Sequence, residues 1–518
     1  MDASWVSLVP PLIVIVAIFF TQKLNVSLML GIFSAALIAA HGNILVALSL
    51  CVEKIIKHFS DIDNIYLYAL LIIISSLIVL LTVSGSAAGC ARIIGKRIKT
   101  KRGAETASIF LAFLLSIDDY LSILTVGFVM SPIADRLSVA RTKLAYIVHA
   151  LAGPLVIIMP ISTWAAAVLV QLDNAGINSS PTSKIMADSF FVYLNTIPFV
   201  FYSLLNVIAV WFIVRWRISF GLLGFDERCV VPVAQELSDD NEEKKHSIIE
   251  LILPITLLVG GVFIGILYAG GFYLLGGSHS FVDAFRNNDK TFVVLLVSGC
   301  LAFTVSLLLS LRKKMIALYQ IPGIVCEGFV LIKSSIMMVV LASILGNFLR
   351  LDLQTGMYVA HMLMGVAPLC FIPLLFFIVS LIITLTTGSA WGTFSLLIPI
   401  ATQMLIVFTG VNTPVELDHI KILLPTLGAV LSGAACGNHI SPFAETTIMT
   451  ATSTGTQPLE HARTQFAYTI PVIIGTCAAF AAMGMMCTSS LYSSFFVSMG
   501  IGTAVSLVLL VAGNVFLK

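Results

Sequence analysis

The sequence predicts an all-α polytopic membrane protein, and three observations lead to this prediction. Apolar residues make up 58% of the 518-residue chain, charged residues make up only 10%, and the mean hydropathy is +1.04. An ordinary soluble domain is about 45–50% apolar and about 25% charged. The composition excludes a soluble enzyme, a disordered protein and a nucleic-acid-binding protein, because too little charge is available for a water-facing or basic surface.

The predicted spans are apolar runs close to the length of about 20 residues that a helix needs to cross a bilayer. The runs cover residues 5–22, 25–41, 64–83, 104–117, 144–170, 189–214, 248–268, 291–311, 329–349, 361–386, 418–436, 464–486 and 490–516. Three shorter runs, at 120–134, 388–404 and 440–454, are interrupted by Gly, Pro, Ser and Thr, which is typical of re-entrant hairpins and broken helices. We therefore expect about 11–13 transmembrane helices with hairpins or broken helices among them.

The distribution of Lys and Arg predicts the orientation of the chain. These residues concentrate in four loops, at 92–102, 136–143, 215–246 and 312–314. Counting spans between the loops keeps all four on one side of the membrane, which we assign to the cytoplasm. The N-terminus lacks the basic region of a cleaved signal peptide. The nine cysteines include no C-x-x-C pair, so they do not indicate a metal site or a disulfide framework.

An internal repeat predicts two related halves. The segment Ala140–Tyr146 reads A-R-T-K-L-A-Y, and Ala462–Tyr468 reads A-R-T-Q-F-A-Y. Gly85-Ser86-Ala87 likewise recurs as Gly388-Ser389-Ala390, in the same order relative to the longer motif. Duplicated broken helices are typical of secondary transporters, which bind substrate near the midplane. The predicted organisation is N-terminal spans (1–63), a first repeat (64–215), a charged cytoplasmic linker (216–247), connecting spans (248–324), a second repeat (325–488) and a C-terminal span (489–518).

Two adjacent carboxylates, Asp118 and Asp119, form the first candidate site. They directly follow an apolar run, and no Lys or Arg lies within ten residues of either. An ionisable group deep in a bilayer costs several kcal/mol and is therefore a functional candidate. Oxygens from Asp119, Ser122 and Thr125, together with carbonyls of a broken helix, suit a hard cation such as Na⁺. The alternative is that Asp118 or Asp119 caps the helix that follows.

The second candidate site is the segment 437–447, which contributes Asn438, His439, Ser441, Glu445 and Thr446. His439 and Glu445 can both titrate, as a proton-coupled carrier requires. A neutral histidine bonded to the backbone is the alternative for His439. A functional role is favoured more strongly for Glu445, because an unpaired glutamate at membrane depth is costly.

Further candidates lie near small residues and prolines. Ser389 and Thr393 belong to the segment Thr386–Thr393, where simple helix packing is the alternative. A second tier consists of His149, Ser162 and Thr163, which lie close to two prolines at 154 and 160. The two hydroxyls can equally satisfy the carbonyls that a kinked helix leaves free.

These residues carry a resemblance to the NhaC-type Na⁺/H⁺ antiporter family. The resemblance covers residues 85–170 and 325–470. The segments that carry it are Asp118–Tyr120, Leu124–Gly127, Lys143–Tyr146, Pro160–Trp164, Thr387–Thr393 and Asn438–Thr447. It implies two inverted repeats with hairpins, an elevator-like homodimer, a bacterial cytoplasmic (inner) membrane location, and Na⁺ bound at Asp119, Ser122, Ser441 and Glu445.

The chain departs from the family pattern at three places. Similar proteins carry aspartate where this chain has Asn438 and His149, and Ser-Asp-Thr-Thr where residues 444–447 read Ala-Glu-Thr-Thr. Two carboxylates are thus absent and one is lengthened. The change alters the charge available to neutralise cations and raises the prospect of an organic ion as substrate.

The leading hypothesis is therefore a secondary active transporter that exchanges cytoplasmic Na⁺ for external H⁺, with Asp119 and Glu445 alternating between the two ions. The main alternative is a Na⁺- or H⁺-coupled carrier of an organic anion or amino acid. A channel is disfavoured by the duplicated broken helices. An enzyme is not expected, since catalytic triads, metal motifs and phosphate loops are missing from the sequence. We expect no cofactor beyond Na⁺ and H⁺, and no nucleic-acid partner.

Overall fold

A computed structural model of the chain describes residues 4–21, 23–87, 89–90, 93, 98–178, 183–229, 249–286, 288, 290–363, 368–409, 414–417, 420–486 and 491–516. The regular structure in these ranges is almost all helical, which confirms the predicted all-α membrane fold. Two short parallel strands, β1 (Ile177–Asn178) and β2 (Ile185–Met186), pair with each other. The predicted charged linker lies outside the described residues from position 230 onward.

The helices, numbered in chain order through the described residues, have the following bounds. They are α1 (Val9–Thr21), α2 (Leu24–Ala39), α3 (Ile44–Ser60), α4 (Ile62–Val83), α5 (Lys101–Leu114), α6 (Asp119–Arg136), α7 (Arg141–Val156), α8 (Thr163–Asn174), α9 (Ser189–Thr196), α10 (Phe201–Trp216), α11 (Gly221–Cys229), α12 (Ile249–Ala269), α13 (Phe281–Arg286), α14 (Thr291–Arg312), α15 (Ile321–Asn347), α16 (Thr355–Leu363), α17 (Ile372–Thr387), α18 (Ala390–Thr409), α19 (Leu423–Ile440), α20 (Glu445–Thr454), α21 (Pro458–Met485) and α22 (Leu491–Phe516).

Nine helices in the described part of the chain are long and apolar enough to cross a membrane, and a tenth crossing is possible at a bent pair. The bent pair is α2 and α3, whose axes differ by 119°. The buried fraction of each helix distinguishes inner from outer helices. In its most apolar stretch, α18 is 83% buried, whereas α22 is 22% buried. The exposed apolar side chains of α22 therefore suit contact with lipid.

One predicted span is divided into two shorter helices. The run at 144–170 forms α7 and α8, which are separated by a break at residues 157–162. Pro160 lies in the break and has no backbone N–H to continue a helical ladder. The Ser162 hydroxyl satisfies one of the freed carbonyls by donating to Val156 at 2.7 Å. Backbone of this kind is tolerated at membrane depth because other protein groups satisfy it.

The central helix, α19, is buried along its whole length and packs closely against α17. Small residues permit the approach. A Cβ added at Gly433 would lie 2.5 Å from the carbonyl oxygen of Phe377, and one at Gly437 would lie 2.5 Å from the Cβ of Thr384. Small residues are the usual means of close helix packing in membranes.

The duplicated A-R-T motifs lie against each other in the fold. The ring centroids of Tyr146 on α7 and Tyr468 on α21 are 5.3 Å apart. Arg141 also reaches from the first motif to the second half, where its Nη1 donates to the Thr454 carbonyl at 2.7 Å. The two A-R-T segments are therefore neighbours in the structure, in contact through Tyr146 and Tyr468.

We expect Gly127→Ala to destabilise the protein by about 1–3 kcal/mol, because it overfills the contact between α6 and α20. The new Cβ would lie 2.1 Å from Ser453 Oγ and 2.6 Å from Ser453 Cβ. Thermal unfolding in detergent measures the loss. In a Ser453→Gly background the penalty should shrink, because both crowding atoms are gone. An equal penalty in the two backgrounds would contradict this packing.

Candidate functional site

Four helices begin around one central cavity of about 530 Å³. Their first turns contribute Asp119 from α6, Trp164 from α8, Trp391 from α18 and Glu445 from α20. The cavity is far larger than the volume of about 30 Å³ that one water molecule occupies in the liquid. The predicted helix breaks therefore converge on a space that can hold a hydrated ion or a small solute.

Three of these four helices begin with a side-chain cap. Asp118 Oδ1 accepts the Leu121 N–H at 3.0 Å, Ser162 Oγ accepts the Ala165 N–H at 3.0 Å, and Ser389 Oγ accepts the Gly392 N–H at 3.2 Å. The second oxygen of Asp118 accepts the Thr163 hydroxyl at 2.9 Å. These bonds satisfy amides that a helix N-terminus otherwise leaves without partners. Asp118 is thus occupied by structural hydrogen bonds on both oxygens.

Asp119 on α6 and Glu445 on α20 bring two carboxylates into the central cavity. Both occupy the first position of their helix, where the helix dipole stabilises negative charge. The Tyr120 hydroxyl donates to Glu445 Oε2 at 2.5 Å and so connects α6 to α20. Within the described residues, neither carboxylate has a Lys or Arg within ion-pair distance.

The hairpin between α17 and α18 closes one side of this site. Gly388 ends α17 with φ of +70°, a left-handed conformation that glycine adopts without strain. A Cβ at this position would lie 3.1 Å from the backbone of both Phe443 and Ala444. Asn438 Nδ2 also donates to the Gly388 carbonyl at 3.2 Å. The hairpin tip is therefore held against the break that precedes Glu445.

The sequence candidates divide into those that line the central cavity and those behind it. Asp118, Asp119, Ser389, Asn438, Glu445 and Thr446 line it. Ser122, Thr125, Thr393, His439, Ser441, His149, Ser162 and Thr163 are not in its lining. Ser441 Oγ instead donates to the Leu385 carbonyl at 2.9 Å, and Thr393 Oγ1 donates to the Ser389 carbonyl at 2.9 Å. Ser122 is fully buried, and its hydroxyl has no partner in the described structure.

Sequence reasoning missed several residues of the cavity wall. Lys23, Asn25, Ser75, Ser334, Ser335 and Met338 come from α2, α4, α15 and the segment before α2. Single polar residues in ordinary apolar helices carry no motif, so the sequence contains no signal that places them together. Among the described residues that line the cavity, Lys23 is the positively charged one, and it is exposed.

A second polar cavity of about 650 Å³ lies further along the same helices. On α8, Trp164 lines the central cavity and Asn174 lines the second. Ten residues of helix at 1.5 Å each separate the two by about 15 Å. Between them, Gln171 Nε2 and Asn174 Nδ2 donate to Ser343 Oγ at 3.2 and 3.1 Å. Burial raises the pKa of Asp188, in the loop beside the second cavity, to about 7.

Comparison with known proteins agrees with this architecture. The family model described as "Na+/H+ antiporter family" matches residues 156–485. An uncharacterised protein of Haemophilus influenzae is 30% identical over 98% of this chain and 94% of its own length. The malate-2H⁺/Na⁺-lactate antiporter of Bacillus subtilis is 28% identical over 22% of this chain and 23% of its own length.

A solved structure supports the fold. The YdaH transporter of Alcanivorax borkumensis aligns with a TM-score of 0.54 and 14% identity, over 85% of this chain and 89% of that chain. At this identity the similarity concerns the fold alone. The family match covers more than half of the chain and includes the α7–α8 break, the α17–α18 hairpin and the break before Glu445. The chain is therefore a multi-pass membrane protein that belongs to the Na⁺/H⁺ antiporter family.

Proposed function

We propose that the protein is a secondary antiporter that exchanges cytoplasmic Na⁺ for external H⁺, with Asp119 and Glu445 as the shared binding groups. The observation that carries the proposal is the meeting of these two carboxylates in one cavity, without a Lys or Arg in ion-pair contact among the described residues. Asp119 is 5% exposed, and a carboxylate away from bulk water needs a compensating positive charge or a proton, whereas Glu445 is exposed. Either Na⁺ or H⁺ supplies what Asp119 needs, and Glu445 is the second carboxylate that can take part in binding.

Competition for the same carboxylates explains exchange without separate machinery for each ion. When Na⁺ occupies the pair, protonation is disfavoured, and when the pair is protonated the site loses the charge that attracts Na⁺. The hydrogen bond from Tyr120 keeps Glu445 beside the start of α6. Both acids then respond to one bound ion as a unit.

The two cavities support alternating access. The central cavity and the second polar cavity share α4, α8 and α15, and a packed layer about 15 Å thick separates them. Transport requires this layer to open while the opposite side closes, by movement of one repeat-built unit against the rest. The proposal places the protein in the bacterial cytoplasmic membrane, as a homodimer without a cofactor.

Proteoliposomes that contain a pH-sensitive dye test the proposed function. Gradients of Na⁺, Li⁺, K⁺ or Ca²⁺ are imposed in the absence of organic solutes. We expect proton movement that depends on the Na⁺ gradient and reverses when the gradient is reversed. No proton movement with any of the four cations would contradict an inorganic cation/proton antiporter.

A second candidate function is coupled transport of an organic anion. Four helix N-termini around a cavity of about 530 Å³ favour it, because such termini stabilise carboxylates and the space exceeds the need of one ion. The partial similarity to a transporter named for malate and lactate points the same way. Malate and lactate are therefore added to the same vesicles. Proton movement that appears only with an organic anion would select this second function.

A further inference from the structure

The second polar cavity lies on the side of the membrane opposite the basic loops. Its lining includes Asp173 at the end of α8, Asp188 in the loop that follows, and Asn288 before α14. One crossing separates these residues from the basic loops at 136–143 and 312–314. Because the distribution of Lys and Arg predicts that those loops are cytoplasmic, the second cavity faces the external solution.

Three helices form the layer that separates this external cavity from the central cavity. Each of α4, α8 and α15 lines the central cavity with one stretch and the external cavity with another. Between those stretches the helices are mostly apolar, and Leu71 on α4 and Val339 on α15 are fully buried. Gln171 on α8 and Ser343 on α15 are polar exceptions, and each is 0% exposed. The layer therefore contains polar side chains that are shielded from both cavities.

Hydrogen bonds to Ser343 join α8 to α15 within this layer. Ser343 Oγ accepts from Gln171 Nε2 at 3.2 Å and from Asn174 Nδ2 at 3.1 Å. On α15, Ser343 lies about one helical turn from Asn347, which lines the external cavity. In the other direction it lies five residues from Met338, which lines the central cavity. The two bonds are therefore located between the cavities and connect the helices that must separate if the cavities are to join.

Polar contacts allow such a layer to open at low cost. Water replaces a broken hydrogen bond, so the net free energy of each bond is small, whereas apolar surface resists hydration over its whole area. The closed arrangement also leaves Gln171 Oε1 buried without a partner among the described residues. Water that enters an open layer supplies this partner. The closed and open arrangements can therefore be close in free energy, as a transport cycle requires.

We propose that Gln171, Asn174 and Ser343 form the external gate of the transporter, and that their hydrogen bonds hold the central cavity closed to the outside. The proposal rests on the alternating access that the proposed function requires. Movement of α8 away from α15 breaks both bonds to Ser343 and joins the two cavities. When the helices return, the bonds form again and the external path closes.

The gate is connected through α8 to the carboxylates of the central cavity. Thr163, the first residue of α8, donates its hydroxyl to Asp118 Oδ2 at 2.9 Å, and Asp118 directly precedes Asp119. One end of α8 therefore contacts the aspartate pair, and the other end contacts Ser343. An ion that binds Asp119 more tightly in one position of α8 shifts the gate toward that position.

External access to the central cavity tests the gate in the full-length protein. The reporter is Ser334→Cys, at an exposed position of the central cavity wall, in right-side-out membrane vesicles. A small membrane-impermeant thiosulfonate is added outside, and mass spectrometry follows the tryptic peptide 334–350, which contains no other cysteine. We expect slow labelling in this parent. Labelling should be at least about tenfold faster with Ser343→Ala, which removes two hydrogen bonds from the closed state.

Two further variants make the result specific to the gate. Asn174→Ala changes a partly buried residue at the edge of the external cavity and should give a smaller increase, because one bond is lost. Ser498→Ala is the matched control and should label at the parent rate, since it removes a fully buried hydroxyl on α22 that has no partner in the described structure.

The outcomes separate the gate from the proposed function. Equal labelling in the parent, Ser343→Ala and Asn174→Ala would overturn the gate, even if Na⁺ gradients drive proton movement in liposomes. An equal increase in Ser498→Ala would indicate general loosening of the protein and would also overturn it. Faster labelling in the two gate variants alone, without Na⁺-driven proton movement by the wild type, would support the gate and overturn only the Na⁺/H⁺ assignment.

Discussion

Replacing Asp119 with asparagine is expected to reduce Na⁺-driven proton movement at least about 100-fold, because the variant loses a charged hydrogen-bonding and ion-binding group worth about 3 kcal/mol. Asp119 lines the central cavity and has no Lys or Arg in ion-pair contact within the described chain. Asparagine fits the same space but can neither neutralise Na⁺ nor release a proton. The rate of dye response in proteoliposomes measures the loss.

Asp118→Asn provides the matched control for Asp119→Asn. Asp118 Oδ1 caps α6, and asparagine caps helices about as well as aspartate. The Asp118→Asn variant should therefore retain most of the exchange. Equal loss in both variants would mean that the pair acts together, and full exchange in Asp119→Asn would contradict the assignment of the site.

Lys143→Ala should destabilise the protein by about 3–5 kcal/mol, the usual cost of removing one partner from a buried ion pair. Lys143 is 2% exposed, and its Nζ lies 3.4 Å from Glu105 Oε1 and 2.5 Å from Glu227 Oε1. Glu105 is 3% exposed, so the substitution leaves it as a buried charge without its cation. The thermal unfolding midpoint in detergent reports the effect.

Removal of both charges identifies the cause of that loss. The double variant Lys143→Met with Glu105→Gln should recover a large part of the stability, because it removes the deeply buried carboxylate together with its cation, while Glu227 is 22% exposed and keeps a hydrogen bond from Ser219. Lys143→Ala with a wild-type unfolding midpoint would contradict a structural ion pair at this place. A double variant as unstable as Lys143→Ala would show that an unpaired Glu105 is not the main cause of the loss.

The sequence predicts the fold class and the helix breaks because both depend on local chemistry. Long apolar runs and the interruptions near Asp118, Gly388 and Ser441 are visible in the chain itself. Pro154 and Pro160 also mark the region where the run at 144–170 divides, although the run alone favours a single span. The break becomes evident only when Ser162 and Thr163 are seen to satisfy groups on other segments.

Contacts between distant residues were beyond sequence reasoning. Tyr120 bonds Glu445 across 325 positions, and His149 meets His461 across 312. Only the packing of α6 on α20 and of α7 on α21 brings these pairs together. The motifs identified Glu445 and His149 one at a time, whereas their partners are ordinary residues of other helices.

The central claim is that one site binds Na⁺ and H⁺ in competition, and a Na⁺ titration at several pH values tests it most directly. Trp164 and Trp391 line the central cavity, so their fluorescence can report binding. If one Na⁺ competes with one proton for the site, the half-saturating Na⁺ concentration should rise about tenfold for each unit by which the pH falls below the pKa of the site. A half-saturating Na⁺ concentration that does not change with pH would contradict the account.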